Sequence, residues 1–250
     1  MMDLSGKSIL LTGGTNGIGR ELALQLKAKG AAVITTGRNA QRVAAMRDAG
    51  FEVIEADLSD ASGVDALLAA LEGRAIDVLI NNAGQLVDHE FRSGGRFTSP
   101  NAGAPDPDAT DNAIYANLTA PIRLIVGLME TLQSRPEAAI VNVTSGLAIA
   151  PAARASVYCA TKAGLRFYTL ALRAQLADTN IHVIEALPPV VDTQMNEGND
   201  MKKMSAQECA RQIMVAIEKN KAEANIGVTK ALRVVDGISP GLAKSITLKF

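Results

Sequence analysis

The chain has 250 residues, 48% hydrophobic but only 3% aromatic, which allows one sizeable aliphatic core. Its 25 basic and 26 acidic residues are interspersed and leave a net charge of −1, without the basic block that tracks a phosphate backbone, so nucleic-acid binding is not expected. There is no apolar run of about 20 residues, no basic-then-apolar leader and no metal-ligand spacing among Cys159, Cys209, His89 and His182, so a cytoplasmic protein without a transmembrane segment or metal is expected.

The first strand pattern is "SILLT", and it runs directly into "GGTNGIGRELA". Gly13, Gly17 and Gly19 lie between that strand and a helix marked by Ile18, Leu22 and Leu26. Such a turn lets backbone N–H groups approach a pyrophosphate, and the helix N-terminus adds a favourable dipole. Glycine turns also serve plain chain reversal, so position matters: this one opens the first helix after the first strand.

"AAVITT" is the second strand, ending in "GRN". In an NAD site an acidic residue here accepts hydrogen bonds from the ribose 2′-OH. Gly37 takes that place and Arg38 follows, so repulsion of a 2′-phosphate is absent and a guanidinium fork is at hand. This favours NADP(H) and leaves NAD(H) as second choice; the competing reading of Arg38 is a solvated surface charge. "QRVAAMRDAG" reads as a helix, "FEVIEA" as a strand, "GVDALLAALEG" as a helix and "IDVLIN" as the fourth strand, with Gly30 and Gly50 where helix C-caps fall. This alternation predicts right-handed crossovers and a parallel sheet.

Residues 85–110 break the rhythm with Gly, Pro, Asp and Ser and read as a long functional or mobile loop. One long helix is expected over "DNAIYANLTAPIRLIVGLMETLQ", whose Ile114, Leu118, Ile122, Ile125, Met129 and Leu132 exceed what one sheet face needs. "AAIVNVTS" is a buried strand ending at Ser145, a helix follows from about 156 to 178, and "NIHVIEAL" is a further strand. Residues 194–204 suit a short substrate lid, or simply a solvated loop, and Ser205 with Glu208 gives a capping-box signature for the helix "SAQECARQIMVAIEKN". The tail, 228–250, has Val228, Leu232 and Val235 at helical spacing beside Lys230, Arg233, Lys244 and Lys249; packing on the core or a partner subunit is favoured over contact with a membrane surface. With no linker or repeat, 1–250 reads as a single doubly wound α/β domain of Rossmann type, its mainly parallel sheet covered by helices on both faces.

"VYCATKAG" places Tyr158 one helical turn before Lys162, on one face. A free phenol titrates near about 10. An ammonium or pyridinium within hydrogen-bond range lowers a pKa by about one to three, which would bring the phenol towards working pH for acid–base chemistry. A packed Tyr beside a snorkelling Lys is the bland alternative. Ser145, at the carboxyl end of a strand thirteen residues earlier, can converge with Tyr158 on one carbonyl.

The spacing of Gly13, Gly17 and Gly19, "INNAG", and the Ser145–Tyr158–Lys162 arrangement together resemble the short-chain dehydrogenase/reductase family over about residues 5–227. The "ALPPVVDT" segment is similar to a bacterial subgroup labelled DltE-like. The resemblance implies hydride transfer between a nicotinamide and a small carbonyl or secondary alcohol. It makes Asn117, Ser145, Tyr158 and Lys162 the catalytic set: Tyr158 exchanges the proton, Ser145 orients the oxygen, Lys162 holds the nicotinamide ribose and lowers the phenol pKa, and Asn117 holds a water linking Lys162 to solvent. It assigns to the dinucleotide Gly13, Thr15, Asn16, Gly17, Ile18, Gly19, Arg38, Asp57, Leu58, Asn82, Ala83, Gly84, Tyr158, Lys162, Val191 and Thr193. Pro189 stands where the family has Gly, which removes an N–H donor beside the nicotinamide. Pairing through the two long helices into a homodimer or homotetramer is also implied. Two other readings stay open: a non-catalytic NADP-binding regulator, and an epimerase or dehydratase that uses the nicotinamide internally.

Overall fold

The computed structural model describes residues 1–88, 104–198 and 200–249. Strands and helices alternate through the first half: β1 (Ser8–Leu11), α1 (Gly17–Ala28), β2 (Ala32–Gly37), α2 (Ala40–Asp48), β3 (Glu52–Glu55), α3 (Ala61–Ala70) and β4 (Val78–Asn81). Then come α4 (Pro107–Ile114), α5 (Ala120–Gln133), β5 (Ala138–Val143), α6 (Ser156–Gln175), β6 (Ile181–Leu187), β7 (Val191–Asp192), β8 (Met204–Ser205), α7 (Ala206–Glu218), β9 (Glu223–Asn225), α8 (Thr229–Ile238) and α9 (Pro240–Thr247).

Seven strands form one parallel sheet in the order β3-β2-β1-β4-β5-β6-β9; β7 and β8 pair separately. The order reverses between β1 and β4, so a crevice opens at their carboxyl ends, the place where doubly wound sheets bind ligands. The strands are apolar on both sides because both faces are covered. One face packs Ile9, Leu11, Ile80, Val141 and Ile184 beneath α1 and α7; the other packs Leu10, Leu79, Ile140 and Val183 beneath α3, α5 and α6. Among the described residues no helix is long and apolar enough to cross a membrane.

A polar row interrupts the second face. Asn81, Asn142, Glu185 and Glu223 are register partners across β4, β5, β6 and β9. Residues on α6 satisfy much of it. Thr169 Oγ1 accepts from Asn142 Nδ2 at 2.8 Å, and Arg166 pairs with both Glu185 and Glu223.

Several sequence expectations need correction. The helix expected from 111 begins at Pro107, because Asp106 caps it (Ala109 N to Oδ1, 3.3 Å) and proline suits a first-turn position that needs no N–H. The remainder of the presumed 85–110 loop falls largely on residues 89–103, outside those described. The long helix is also not continuous: Tyr115–Thr119 forms a π-helical turn, with Ala120 N donating to Tyr115 O. Pro121, which has no N–H to return to the Asn117 carbonyl, explains the break. Ile125 and Leu132 are fully buried in the protein's own core, so they offer nothing to a second subunit. The expected capping box is half formed: Ser205 Oγ accepts from Glu208 N at 3.2 Å, but the Glu208 carboxylate turns to Arg211 and Gln212. The short strands β7, β8 and β9 and the division of the tail into α8 and α9 were not anticipated.

Candidate active site

The crevice between β1 and β4 is a cavity of about 1000 Å³, and every residue expected to hold a dinucleotide lines it. Its floor is built by backbone close approach. Gly13 has φ of +68°, and a Cβ there would stand 2.9 Å from Ala83 Cα. A Cβ on Gly19 would collide with the Gly13 carbonyl and with Asn82 Nδ2. Thr12, which sequence reasoning passed over, ties the two strand ends together. Its buried hydroxyl accepts from the N–H groups of Asn82 and Ala83, each at 3.0 Å. Asn82 Nδ2 returns a bond to Thr12 O at 3.0 Å. The Gly13–Gly19 turn and the Asn82–Gly84 turn are thus one rigid cradle.

At the β2 end, Arg38 Nη1 pairs with Asp57 at 3.2 Å, both groups being substantially exposed. Burial acts to raise the Asp57 pKa, but hydrogen bonds from Ser59 and the Arg38 charge outweigh it and hold the carboxyl below its ordinary value. A second guanidinium, missed in the sequence, stands beside the first: Arg42 Nη2 donates to Gln194 Oε1 at 2.6 Å, and Asn16 Nδ2 reaches the same oxygen at 3.3 Å. Arg42 lies in the first turn of α2, just after the connection that carries Arg38. Gln194 therefore connects the segment after β7 to the far wall of the crevice. A Cβ on Gly37 would run into the Thr15 side chain, so Thr15 occupies the space an acidic residue would need.

At the β5 end, Ser145 caps the short turn Gly146–Ala148, its Oγ accepting from Leu147 N at 3.1 Å, and it lines the cavity together with Tyr158. Lys162, one turn along α6 and 4% exposed, donates to Val143 O at 2.9 Å. Its Nζ lies over the Tyr158 ring, 5.6 Å from the centroid. Burial works against an acidic phenol. Tyr158 keeps an edge in the cavity, yet desolvation pushes its pKa up to about 12, against the opposing pull of Ser145. Burial likewise pushes Lys162 down to about 8. Positive charge brought into the cavity would act to lower the phenol pKa.

Asn117 is fully buried in the π-helical turn, behind the cavity wall. Its amide is committed to protein: Nδ2 donates to Gln85 O at 2.8 Å and Thr161 Oγ1 at 3.1 Å, and Oδ1 accepts from Gln85 N at 2.7 Å. A Cβ on Gly84 would come within 3.0 Å of that oxygen and 3.5 Å of Lys162 Nζ, so Asn117, Gly84 and Lys162 are packed together. The side-chain amide thus clamps the chain leaving β4.

On the remaining wall, Pro188 O accepts from Gly146 N at 2.9 Å, and Pro189, Val191 and Thr193 line the cavity. β7 and β8 pair Val191 with Met204 and bracket the 194–204 segment, whose first residues, Gln194–Asn196, form a 3-10 turn at the cavity edge. Cys159 is buried against Ala152 with its thiol pKa raised by burial, which makes it a packing residue and not a nucleophile.

A family model described as "short chain dehydrogenase" matches residues 7–204. The chain is 36% identical over 232 residues to the "uncharacterized oxidoreductase DltE" of Bacillus subtilis (strain 168), covering 89% of this chain and 88% of that protein. Among solved structures, a short chain dehydrogenase from Burkholderia cenocepacia J2315 in complex with NADP superposes with a TM-score of 0.82 at 24% identity, covering 99% of both chains. A short-chain dehydrogenase from Sphingobium yanoikuyae in complex with NADPH does so with a TM-score of 0.78 at 25% identity, covering 94% of both.

Proposed function

The chain belongs to the short chain dehydrogenase family of oxidoreductases, and from that premise we propose that it uses NADP(H) to interconvert a small carbonyl compound and its secondary alcohol. The observation that carries this reading is the convergence of Ser145, Tyr158 and Lys162 on one end of a cavity whose other end holds Arg38 and Arg42. The residues fit a dinucleotide. Gly13 and Gly19 leave space that any side chain would fill, beside the N-terminus of α1, and a cavity of about 1000 Å³ has room for a ligand of that length. Arg38 and Arg42 suit a 2′-phosphate, and Thr15 against Gly37 leaves no place for the carboxylate that reads a free 2′-OH. The structures bound to NADP and NADPH are in keeping with this preference; NAD(H) remains the second choice.

When bound, the nicotinamide supplies or takes the hydride. The chain supplies the rest. Tyr158 gives the proton to the substrate oxygen in reduction and takes it in oxidation. Ser145 holds that oxygen. Lys162, fixed by Val143 O, keeps its remaining N–H donors for ribose hydroxyls and its charge beside the phenol. Asn117 holds Gln85, and with it the wall formed by Gly84, at a fixed distance from Lys162. The polypeptide also presents an apolar surface on α4, α5 and α6, with Ile114, Val126, Phe167 and Leu170 exposed, and this is the face through which a homodimer or homotetramer would form.

The test is a spectrophotometric NADPH-oxidation screen over ketones, aldehydes and quinones, run with Tyr158→Phe beside the wild type. Loss of about 10²–10⁴-fold in kcat with cofactor binding retained supports the assignment. Undiminished turnover by Tyr158→Phe overturns it.

A further inference from the structure

α8 packs on the protein with a mixed face and leaves apolar residues outside. Thr229 and Arg233 face inward beside half-buried Leu232 and Val235. Thr229 is buried against Gly146, and Arg233 pairs with Glu223 and with Asp236, each at 3.1 Å. Its other large apolar residues face outward: Val234 is 62% and Ile238 81% exposed, and Val228, just before the helix, is 75% exposed. α9 packs against α8 through buried Ala243 and extends the same apolar surface with exposed Leu242, Ile246 and Leu248. The rotation is held by ions. Glu223 is shared between Arg166 of α6 and Arg233, so turning the apolar face inward would strip a part-buried carboxylate of a partner.

Charge says what covers this face. Between Val228 and Lys249 the only acidic residue is Asp236, already paired with Arg233, whereas Lys230, Lys244 and Lys249 are all exposed around the apolar stripe. A two-fold contact with a second copy would set these lysines against their own symmetry mates. A sheet of anionic headgroups over an acyl interior complements both the apolar face and its basic rim.

We propose that the α8–α9 hairpin is an interfacial anchor that lays the protein on an anionic bilayer surface without spanning it. Leu232 and Thr229 lie against Gly146, the residue after Ser145, so docking holds the wall of the reaction cavity close to the lipid surface. The proposal does not depend on the reaction assigned above.

The test is flotation of the full-length protein with vesicles of equal parts phosphatidylglycerol and phosphatidylcholine, compared with phosphatidylcholine alone. The expected result is co-flotation with the anionic vesicles, weakened about tenfold or more without phosphatidylglycerol or in high salt. Val234→Asp/Ile238→Asp should abolish it, and Lys230→Glu/Lys244→Glu/Lys249→Glu should weaken it by about 100-fold, both with unchanged thermal melts because the altered side chains are exposed. Absence of flotation overturns the proposal, as does binding that survives Val234→Asp/Ile238→Asp. So does light scattering in which that double variant splits an oligomer, which would assign the face to a second copy.

Discussion

Asn117 holds Gln85 by both ends of its amide, with N···O distances of 2.7 and 2.8 Å in the two directions. The Asn117 side chain is a strut. It spans from the π-helical turn before α5 to the chain leaving β4, and it reaches Thr161 on α6 as well.

Asn117→Ala should therefore act on stability before chemistry. It leaves Gln85 N, Gln85 O and the Thr161 hydroxyl short of partners, at a cost of about 3 kcal/mol. Urea unfolding measures this, and a midpoint equal to wild type would show that the clamp contributes nothing.

Lys162 makes stability depend on pH. Its folded pKa is about 8, against an ordinary value of 10.5, so the unfolded chain binds more protons between those limits. Stability should rise with pH across that window, by up to about 1.4 kcal/mol per pH unit. Tyr158 works in the opposite sense only above its ordinary 10.0, up to about 12. Unfolding free energies measured from pH 8 to 9.5 should thus climb more steeply in wild type than in Lys162→Met. Parallel curves would mean that burial does not depress the lysine.

Arg38→Ala/Arg42→Ala should raise KM for NADPH by roughly 10–100-fold while leaving NADH almost untouched, since two charge-assisted contacts are removed. Equal losses with both coenzymes would remove the 2′-phosphate argument. Gly37→Asp alone should impair both, because the new side chain meets Thr15; Gly37→Asp/Thr15→Gly should recover use of NADH. Initial rates with the two coenzymes distinguish these outcomes.

Glu185 ties the Ser145 strand to the Tyr158 helix. Its carboxylate accepts from Thr144 Oγ1 at 2.7 Å and pairs with Arg166, while burial pushes its pKa up. Glu185→Ala should cost about 1–3 kcal/mol by leaving the buried Arg166 guanidinium with Glu223 alone and the Thr144 hydroxyl without its carboxylate partner, whereas Glu185→Leu/Arg166→Met should recover part of that loss. Thermal melts of the three proteins test this; a single variant as stable as wild type would contradict it.

Much of the crevice was legible because its chemistry is local in sequence. The glycine turn, Arg38, "NNAG", Ser145 and the Tyr158–Lys162 pair each declare themselves within a few residues, and parallel-strand topology brings them to one edge. What escaped reading depends on contacts between distant segments. Thr12 matters only because β4 ends beside it, and Arg42 only because Gln194 crosses the cleft. The direction of the Tyr158 shift was also unreadable, since sequence shows a neighbouring charge but not the depth of burial that outweighs it. The strands β7, β8 and β9 are only two or three residues long and carry too little alternation to register.

The row Asn81–Asn142–Glu185–Glu223 has a consequence for assembly of the sheet. Parallel aliphatic strands are prone to slide, because Val, Ile and Leu fit almost equally well at any offset. Here a slip of one position would thrust Glu185 among Cys209, Ile213 and Ile217, where no cation waits for it. The polar band thus proofreads strand alignment, and only the arrangement that seats both carboxylates on Arg166 escapes the penalty.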